Sequence, residues 1–351
     1  MGKRIVIMAG GTGGHVFPAL AVALWFIDHG WDVSWLGTHK GLESKVVPEN
    51  GIEIDWLSVA GVRGKGLLCK LLSGFKLVKA CGQALVILRR RRPDVVLGMG
   101  GFVAGPGGLM AKVLGLPLVI HEQNRIPGTT NRLLAKIANQ VLEAFPNSFK
   151  KATNAKCTGN PLRKEFEAIA HETKTERGSH LRLLILGGSQ GAQVLNEVIP
   201  DALANLKGLE VKHQTGVAMQ EQVAKRYQEL GIKAEATAFI KDMVSAYRWA
   251  DIIVCRAGAM TVSEVAAMRL PAILIPLPHA IDDHQMANAR YLADAGAGLI
   301  LPQKELNAKN LIEQITLAQQ QLEGMAKAAK QCARLDATES VARFCMDEVG
   351  R

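Results

Sequence analysis

The chain has 351 residues, 48% of them apolar, with 35 glycines and a net charge of +10; this length exceeds one typical core and predicts two α/β-sized domains. No run approaches the ~20 apolar residues of a bilayer-crossing helix, residues 5–9 are too short for a secretion signal, and six scattered cysteines without a CxxC pair argue against a disulfide framework or structural zinc and for a reducing cytoplasm. Lys+Arg against Asp+Glu stands at 20 to 9 in residues 1–160 and 22 to 23 afterwards, so the N-terminal part suits an anionic partner: phospholipid headgroups, a pyrophosphate or nucleic acid. A generally basic solubilising surface is the simpler alternative.

In chain order, residues 3–9 (KRIVIMA) read as a strand ending in Gly10-Gly11. Residues 16–29 then read as a helix and 32–36 as a second strand, a β-loop-α-β opening. Apolar runs at 94–98, 117–120 and 140–144 alternate with helical patterns, which predicts a parallel sheet covered on both faces. The pattern restarts at residues 182–187 (RLLILG), which lead through Gly187-Gly188-Ser189-Gln190-Gly191 into a helical stretch at 192–206. Two related α/β units follow from this repetition. Strand-like runs at 251–255 and 271–275 extend the second sheet, and 305–349 read as helical. The polar segment 171–180 is a surface loop, and the hinge falls at Gly159-Asn160-Pro161.

Glycine-rich loops follow three of these strands. Gly10-Gly11-Thr12-Gly13-Gly14-His15 lies between the first strand and its helix, where backbone N–H groups and the helix dipole favour anions. It is neither a Walker A loop nor GxGxxG, and such a loop also serves merely to pack a helix on a sheet. The run Gly98-Met99-Gly100-Gly101-Phe102-Val103-Ala104-Gly105-Pro106-Gly107-Gly108 has more glycine than one turn requires and reads as a binding surface of bare backbone. With 187–191, these loops lie where open α/β sheets bind ligands, and a ligand would lie between the halves if they face one another.

Residues 65–92 (KGLLCKLLSGFKLVKACGQALVILRRRR) are amphipathic and cationic. For 67–79, with Leu67, Leu68, Leu71, Leu72, Phe75, Leu77 and Val78 among Lys65, Lys70, Lys76 and Lys79, the expectation is a helix lying on anionic lipid. Each basic residue would add about 1 kcal/mol near the surface. For 84–88 the expectation is an internal helix.

GGTGGH at 10–15, GMGGFVAGPGG at 98–108, HEQN at 121–124, GNPLR at 159–163, GGSQGA at 187–192 and RAGAMTVSE at 256–264 together closely resemble the MurG family, in the expected order from about residue 5 to 290. The resemblance implies an α/β fold of two Rossmann-like parallel-sheet domains facing across a cleft, of glycosyltransferase-B type. Residues 1–160 would form the acceptor and membrane-facing domain and 161–336 the UDP-sugar domain, with a helix at about 337–351 packing back on the first. It implies UDP-N-acetylglucosamine as donor and undecaprenyl-pyrophosphoryl-N-acetylmuramyl pentapeptide as acceptor. The α-linked donor and β1,4-linked product imply inversion by one in-line displacement in peptidoglycan synthesis, on a peripheral protein at the cytoplasmic face of the bacterial inner membrane. A UDP-N-acetylglucosamine epimerase and a non-enzymatic nucleotide-sugar sensor are the alternatives; nucleic acid is not an expected partner, for want of interleaved aromatics or a reading motif.

The expected substrate-binding residues are Thr12, Gly13, Gly14, Asn124, Arg163, Ser189, Ile240, Gln285 and the run Ala259, Met260, Thr261, Val262, Ser263 and Glu264. Between the 251–255 strand and a helix, the amides of 256–264 suit a diphosphate, and Glu264 can accept both vicinal ribose hydroxyls. A capping box from Thr261 to Glu264 is the plainer reading. Ser189 suits a phosphate oxygen; the resemblance gives the backbone of Ile240 the uracil and Arg163 a further donor contact. Gln285 and Asn124 can donate to and accept from sugar hydroxyls. His15 is the expected general base for the attacking C4 hydroxyl, the alternatives being substrate positioning or helix capping, and Glu122 is a second candidate. Asp282-Asp283 reads as charge complement to a helix start rather than as a metal site. No protein-bound metal or other cofactor is expected; magnesium could sit on the diphosphate.

Overall fold

The computed structural model describes residues 2–59, 67–169, 180–187, 193–278 and 283–350. The chain divides into two compact units: Met1–Arg163 with Leu335–Arg351, and Lys164–Arg334. In the first, β1 (Arg4–Met8), α1 (Gly13–Asp28), β2 (Asp32–Gly37), α2 (Glu43–Glu49), β3 (Glu53–Trp56), α3 (Leu67–Arg91), β4 (Val95–Gly98), α4 (Ala104–Val113), β5 (Leu118–Glu122), α5 (Thr129–Leu134), β6 (Gln140–Glu143) and β7 (Lys156–Cys157) follow in order. The second holds α6 (Lys164–Ile169), β8 (Leu181–Leu186), α7 (Gln193–Leu203), β9 (Leu209–Gln214), α8 (Gln220–Glu229), β10 (Ala234–Thr237), α9 (Met243–Trp249), β11 (Ile252–Cys255), α10 (Ala259–Ala267), β12 (Ala272–Leu274), α11 (His284–Asp294), β13 (Gly298–Ile300), α12 (Ala308–Gln320) and α13 (Leu322–Cys332). The last helix, α14 (Ala337–Asp347), belongs to the first unit.

Among the described residues the first sheet has seven strands ordered β3-β2-β1-β4-β5-β6-β7, and the second has six, ordered β10-β9-β8-β11-β12-β13. The first strands are paired parallel on both sides, β1 with β2 and β4, β8 with β9 and β11. Strand order therefore reverses between β1 and β4 in one unit and between β8 and β11 in the other. At such switch points the loops at the strands' carboxyl ends diverge and leave a crevice.

Continuous apolar runs make strands that are buried on both faces. Ile5 and Ile7 of β1 pack with Val16, Ala19 and Phe26 of α1 and with Val341, Ala342 and Cys345 of α14. Val6 and Met8, one residue out of phase, pack on the opposite side with Ala84 and Leu88 of α3 and Ala104 and Ala111 of α4. Each fully buried Val, Leu, Ile, Met or Phe side chain among these contributes about 1.5–3 kcal/mol. Leu183 and Ile185 of β8 do the same against Leu195, Ile199 and Leu203 of α7 and Leu311 and Ile315 of α12.

A second repeated device joins the first strand of each unit to the strand across the switch point. The Arg4 N–H donates to Asp94 Oδ2 at 2.7 Å, and the Arg182 N–H donates to Asp251 Oδ2 at 3.0 Å. Each aspartate immediately precedes its strand, β4 or β11. The Arg182 guanidinium adds a 2.9 Å bond to Asp251 Oδ1.

Several elements differ from the sequence expectation. Helix α1 begins at Gly13, with Thr12 extended at the N-cap, so Gly13, Gly14 and His15 form its first turn. In the second glycine run only 99–103 is loop, since α4 starts at Ala104. Gly107 lies inside α4, where an added Cβ would stand 2.2 Å from Met8 Sδ, and one on Gly108 would stand 2.8 Å from Leu134 Cδ2. Gly107 lets α4 approach β1 and Gly108 lets it approach Leu134 of α5, so these two glycines serve packing and not a bare-backbone binding surface. The stretch 305–349 contains three helices, interrupted at Gln321 and at 333–336.

In α3, residues 74–79 are all exposed, Phe75 and Val78 at 71%. Ala80, Ala84 and Leu88 form a buried i,i+4 stripe. Lys65 and the side chains of 67–73 lie outside the described residues. Arg90 and Arg91 are turned to structural use: both pair with Asp55, Arg91 Nε at 2.7 Å, and Arg91 also pairs with Glu53. Among the described residues no helix is long and apolar enough to cross a membrane.

Candidate active site

The two described glycine loops of the first unit meet at its switch point. Gly101, at φ +79°, lies so close to the first loop that a Cβ there would be 2.3 Å from the Gly10 carbonyl oxygen. Gly100, at φ +94°, covers the His15 ring, and a Cβ would be 2.8 Å from His15 Nδ1. Both positions combine a left-handed backbone with closest approach, which only glycine satisfies.

Beneath the first loop sits Glu43, fully buried at the start of α2. Its carboxylate accepts the Gly11 N–H at 2.9 Å, the Thr38 N–H at 2.9 Å and the Thr38 hydroxyl at 2.7 Å. The Leu42 N–H returns a 3.2 Å bond to the Gly11 carbonyl. The glycine loop is thus tied down by a charged acceptor whose burial is compensated by three donors.

His15 is half-buried in the first turn of α1. Its Nδ1 lies 2.7 Å from Gln123 Oε1, so the side chain does not cap its own helix. Gln123 follows β5, and strand alternation puts His121 and Gln123 on one side and Glu122 on the other. The Gln123 amide nitrogen lies 3.0 Å from His121 Nδ1 and 3.1 Å from the His121 carbonyl oxygen. His121 Nε2 lies 2.9 Å from the Gly159 carbonyl oxygen, and Asn160 Nδ2 donates to the Gln123 carbonyl at 3.1 Å. HEQN and GNPLR are thereby bound together. Burial pushes the His121 imidazole down to about 4, against the opposing pull of the Gly159 carbonyl and the Glu122 charge, so it is neutral at pH 7.

Glu122 is also buried, and its carboxylate is taken up by local donors. Oε1 accepts the Asn124 N–H at 2.9 Å and the Asn124 side-chain amide at 3.2 Å; Oε2 accepts the Gly128 N–H at 3.1 Å and Asn131 Nδ2 at 2.9 Å. Four donors make it a clasp for the loop from 122 to 131, with no geometry suited to a base. Asn124 spends one amide proton in the same clasp.

In the second unit the switch point carries α10. Its N-cap is Gly258, without a side-chain cap; Thr261 is the third helical residue and Glu264 the sixth, so the pair does not form a capping box. As at any helix start, the first-turn N–H groups of α10, from Ala259 to Thr261, point out of its N-terminus. Ser263 donates to the Ala259 carbonyl at 3.0 Å, and Val262 is buried. Glu264 Oε2 accepts the Tyr247 hydroxyl at 2.9 Å, which orients the carboxylate. Arg256 braces the site from below by donating to the Ile275 carbonyl at 3.2 Å and to Gln303 Oε1 at 2.6 Å.

Ile240 is half-buried between β10 and α9. Gln285, in the first turn of α11, accepts the Leu277 N–H at 2.9 Å and so ties that helix to the segment after β12. Asp283 is the left-handed N-cap of α11 and makes no cap bond. Arg163 is half-buried where the first unit's main segment ends. Ser189 and Asp282 lie outside the described residues. Among the described residues no three His, Cys, Asp or Glu side chains are grouped to hold a metal ion.

Sequence reasoning passed over Glu43, His121, Gln123 and Tyr247. HEQN was in view, but its chemistry was looked for in Glu122 and Asn124; the alternation at a strand end could have shown that His121 and Gln123 share one side and Glu122 the other, though not that His15 meets the first pair. Nothing local in GLESK distinguishes Glu43 from a solvated helix-start carboxylate.

Family models match on both sides of the chain: the glycosyltransferase family 28 N-terminal domain over residues 5–143 and its C-terminal domain over 182–343. Fold, switch-point loops and these matches define a glycosyltransferase of two Rossmann-like domains. A protein of Methylococcus capsulatus named UDP-N-acetylglucosamine--N-acetylmuramyl-(pentapeptide) pyrophosphoryl-undecaprenol N-acetylglucosamine transferase is 58% identical over 100% of both chains. A protein of the same name from Shewanella frigidimarina is 50% identical over 97% of this chain and 96% of its own. The crystal structure of MurG from Acinetobacter baumannii is 39% identical with a TM-score of 0.84, covering 98% of this chain and 99% of that one. The chain belongs to this family, the MurG transferases. A UDP-GlcNAc 2-epimerase from Neisseria meningitidis, 14% identical with a TM-score of 0.68 over 98% of this chain and 100% of its own, shares the fold alone.

Proposed function

We propose that the chain transfers N-acetylglucosamine from UDP-N-acetylglucosamine to the C4 hydroxyl of undecaprenyl-pyrophosphoryl-N-acetylmuramyl pentapeptide, with inversion at the anomeric carbon and release of UDP. Full-length identity of 58% to a relative named for that reaction carries the reading. The geometry is consistent with it. His15 accepts the hydroxyl proton as the C4 oxygen attacks the anomeric carbon and the bond to UDP breaks. The first turn of α10 faces the diphosphate, where amides and helix dipole favour negative charge, with Ser189 and Arg163 as further donor contacts. Glu264 takes the ribose hydroxyls, the backbone of Ile240 the uracil, and Gln285 and Asn124 the sugar. The first turn of α1, with Thr12, Gly13 and Gly14, serves the acceptor.

The first unit is the acceptor and membrane side in this reading, peripheral at the cytoplasmic face of the inner membrane. Support comes from the basic excess of residues 1–160 and from Phe75, Leu77 and Val78 standing exposed beside Lys76 and Lys79. Vesicles of anionic lipid should bind the protein at low salt and release it as salt rises; failure to bind removes the membrane part. The reaction is tested by following UDP release from UDP-N-acetylglucosamine with and without the lipid-linked acceptor. Dependence on acceptor is expected. UDP release or sugar isomerisation that ignores the acceptor would point to epimerase chemistry, and donor binding with no UDP release under any condition to a sensor.

A further inference from the structure

A neutral imidazole has one N–H and one lone pair, and only the lone-pair nitrogen can take a proton. For His15 the question is which nitrogen that is, and the hydrogen-bond polarity behind it gives the answer. The line begins at the Gly159 carbonyl oxygen, which can only accept. His121 Nε2, 2.9 Å away, must therefore carry a proton. Since burial keeps His121 neutral at pH 7, its Nδ1 is a bare lone pair. The Gln123 amide group facing that nitrogen at 3.0 Å also faces the His121 carbonyl oxygen at 3.1 Å. Two acceptors require the NH2 there, which settles the orientation of the carboxamide. Its other end, Oε1, is an acceptor only, and it lies 2.7 Å from His15 Nδ1.

We propose that His121 and Gln123 are positioning residues that hold His15 as the Nδ1–H tautomer, leaving the Nε2 lone pair to receive the proton of the attacking hydroxyl. The inference rests on the reading of His15 as the base. In the reaction the C4 oxygen forms its bond to the anomeric carbon, the carbon–oxygen bond to UDP breaks with its electron pair on the phosphate, and the hydroxyl proton passes to Nε2. The Nδ1–H to Gln123 Oε1 bond persists in both charge states, so nothing behind the ring reorganises as the proton arrives. The orienting group is a neutral carboxamide, set by the His121 carbonyl and, through the His121 imidazole, by the Gly159 carbonyl, where a Ser-His-Asp triad uses a carboxylate. A Cβ on Gly100 would stand 2.8 Å from Nδ1 and 2.9 Å from Cε1, so a side chain there would press on the edge of the ring that makes this bond.

The test is a ¹⁵N–¹H spectrum of the full chain labelled at histidine, recorded above pH 8, with His15 assigned by its loss in His15→Ala. The wild type should show a protonated Nδ1 and a bare Nε2 at His15. Gln123→Met should move His15 to a tautomer mixture and lower kcat by roughly 10–100-fold, with KM for donor and acceptor within about threefold; a wrong tautomer behind a triad histidine costs up to ~10⁴. Gln123→Glu still offers an acceptor to Nδ1–H and should restore the tautomer relative to Gln123→Met. A bare Nδ1 or a mixture in the wild type overturns the proposal without any variant, as does an unchanged tautomer in Gln123→Met. Failure of the base reading is separable: His15→Ala would then keep near-normal kcat whatever the wild-type spectrum shows.

Discussion

The two switch points share a topology and are built from different materials. Between β1 and β4 the chain buries polar side chains and matches them: Glu43 beneath Gly11, Gln123 and His121 behind His15. Between β8 and β11 the described part is mostly backbone, the first turn of α10, with one carboxylate, Glu264, steadied by Tyr247. The roles proposed for the two sites account for the difference. A proton acceptor has to present one particular lone pair, which takes a chain of oriented donors and acceptors, whereas a phosphate is served by N–H groups that every helix start supplies.

If that division holds, His15→Ala should give the largest effect, a fall in kcat of about 10²–10⁴-fold. Titration with UDP-N-acetylglucosamine should meanwhile show donor affinity within about threefold of wild type. Near-normal turnover would break the comparison at its first term. Glu264→Ala should do the reverse, weakening UDP binding by roughly 10–100-fold, the range for a hydrogen bond to a charged group, while kcat at saturating donor stays within about threefold. Equal losses in both parameters would place Glu264 in the chemical step.

Both units also hide a neutral histidine, and this is where they should behave alike. Burial lowers His121 to about 4 and His213 to about 3, from an ordinary 6.5. The unfolded chain therefore binds protons before the native one does, so stability present above pH 6.5 is lost as pH falls toward 4 and 3. Urea unfolding at pH 7 and pH 4.5 should differ by roughly 2–3 kcal/mol for each histidine. His213→Phe should flatten the second unit's share only. The smallest effect belongs to Glu43→Gln, which puts an NH2 among three donors and should cost about 1–3 kcal/mol by the same measurement; an unchanged stability would mean the loop is held by other contacts.

Much of this architecture was legible because it rests on short-range rules. Apolar runs closed by glycine marked β1, β4 and β8, and the restart at residue 182 marked the second unit, since doubly covered parallel strands must be apolar on both faces. The long, unusual motifs at 98–108, 187–192 and 256–264 carried the family.

Tertiary structure decided what periodicity and composition leave open. Gly107 and Gly108 looked like binding backbone until Met8 and Leu134 were seen against them. The cationic end of residues 65–92 had no assigned partner until Asp55 took up Arg90 and Arg91, and Glu53 joined Arg91. The HEQN motif was visible at once, but the division of labour within it, Glu122 closing its own loop and Gln123 turned to His15 more than a hundred positions away, was not. Hydrogen-bond partners distant in the chain are set by how the strands stack, and no local pattern encodes that choice.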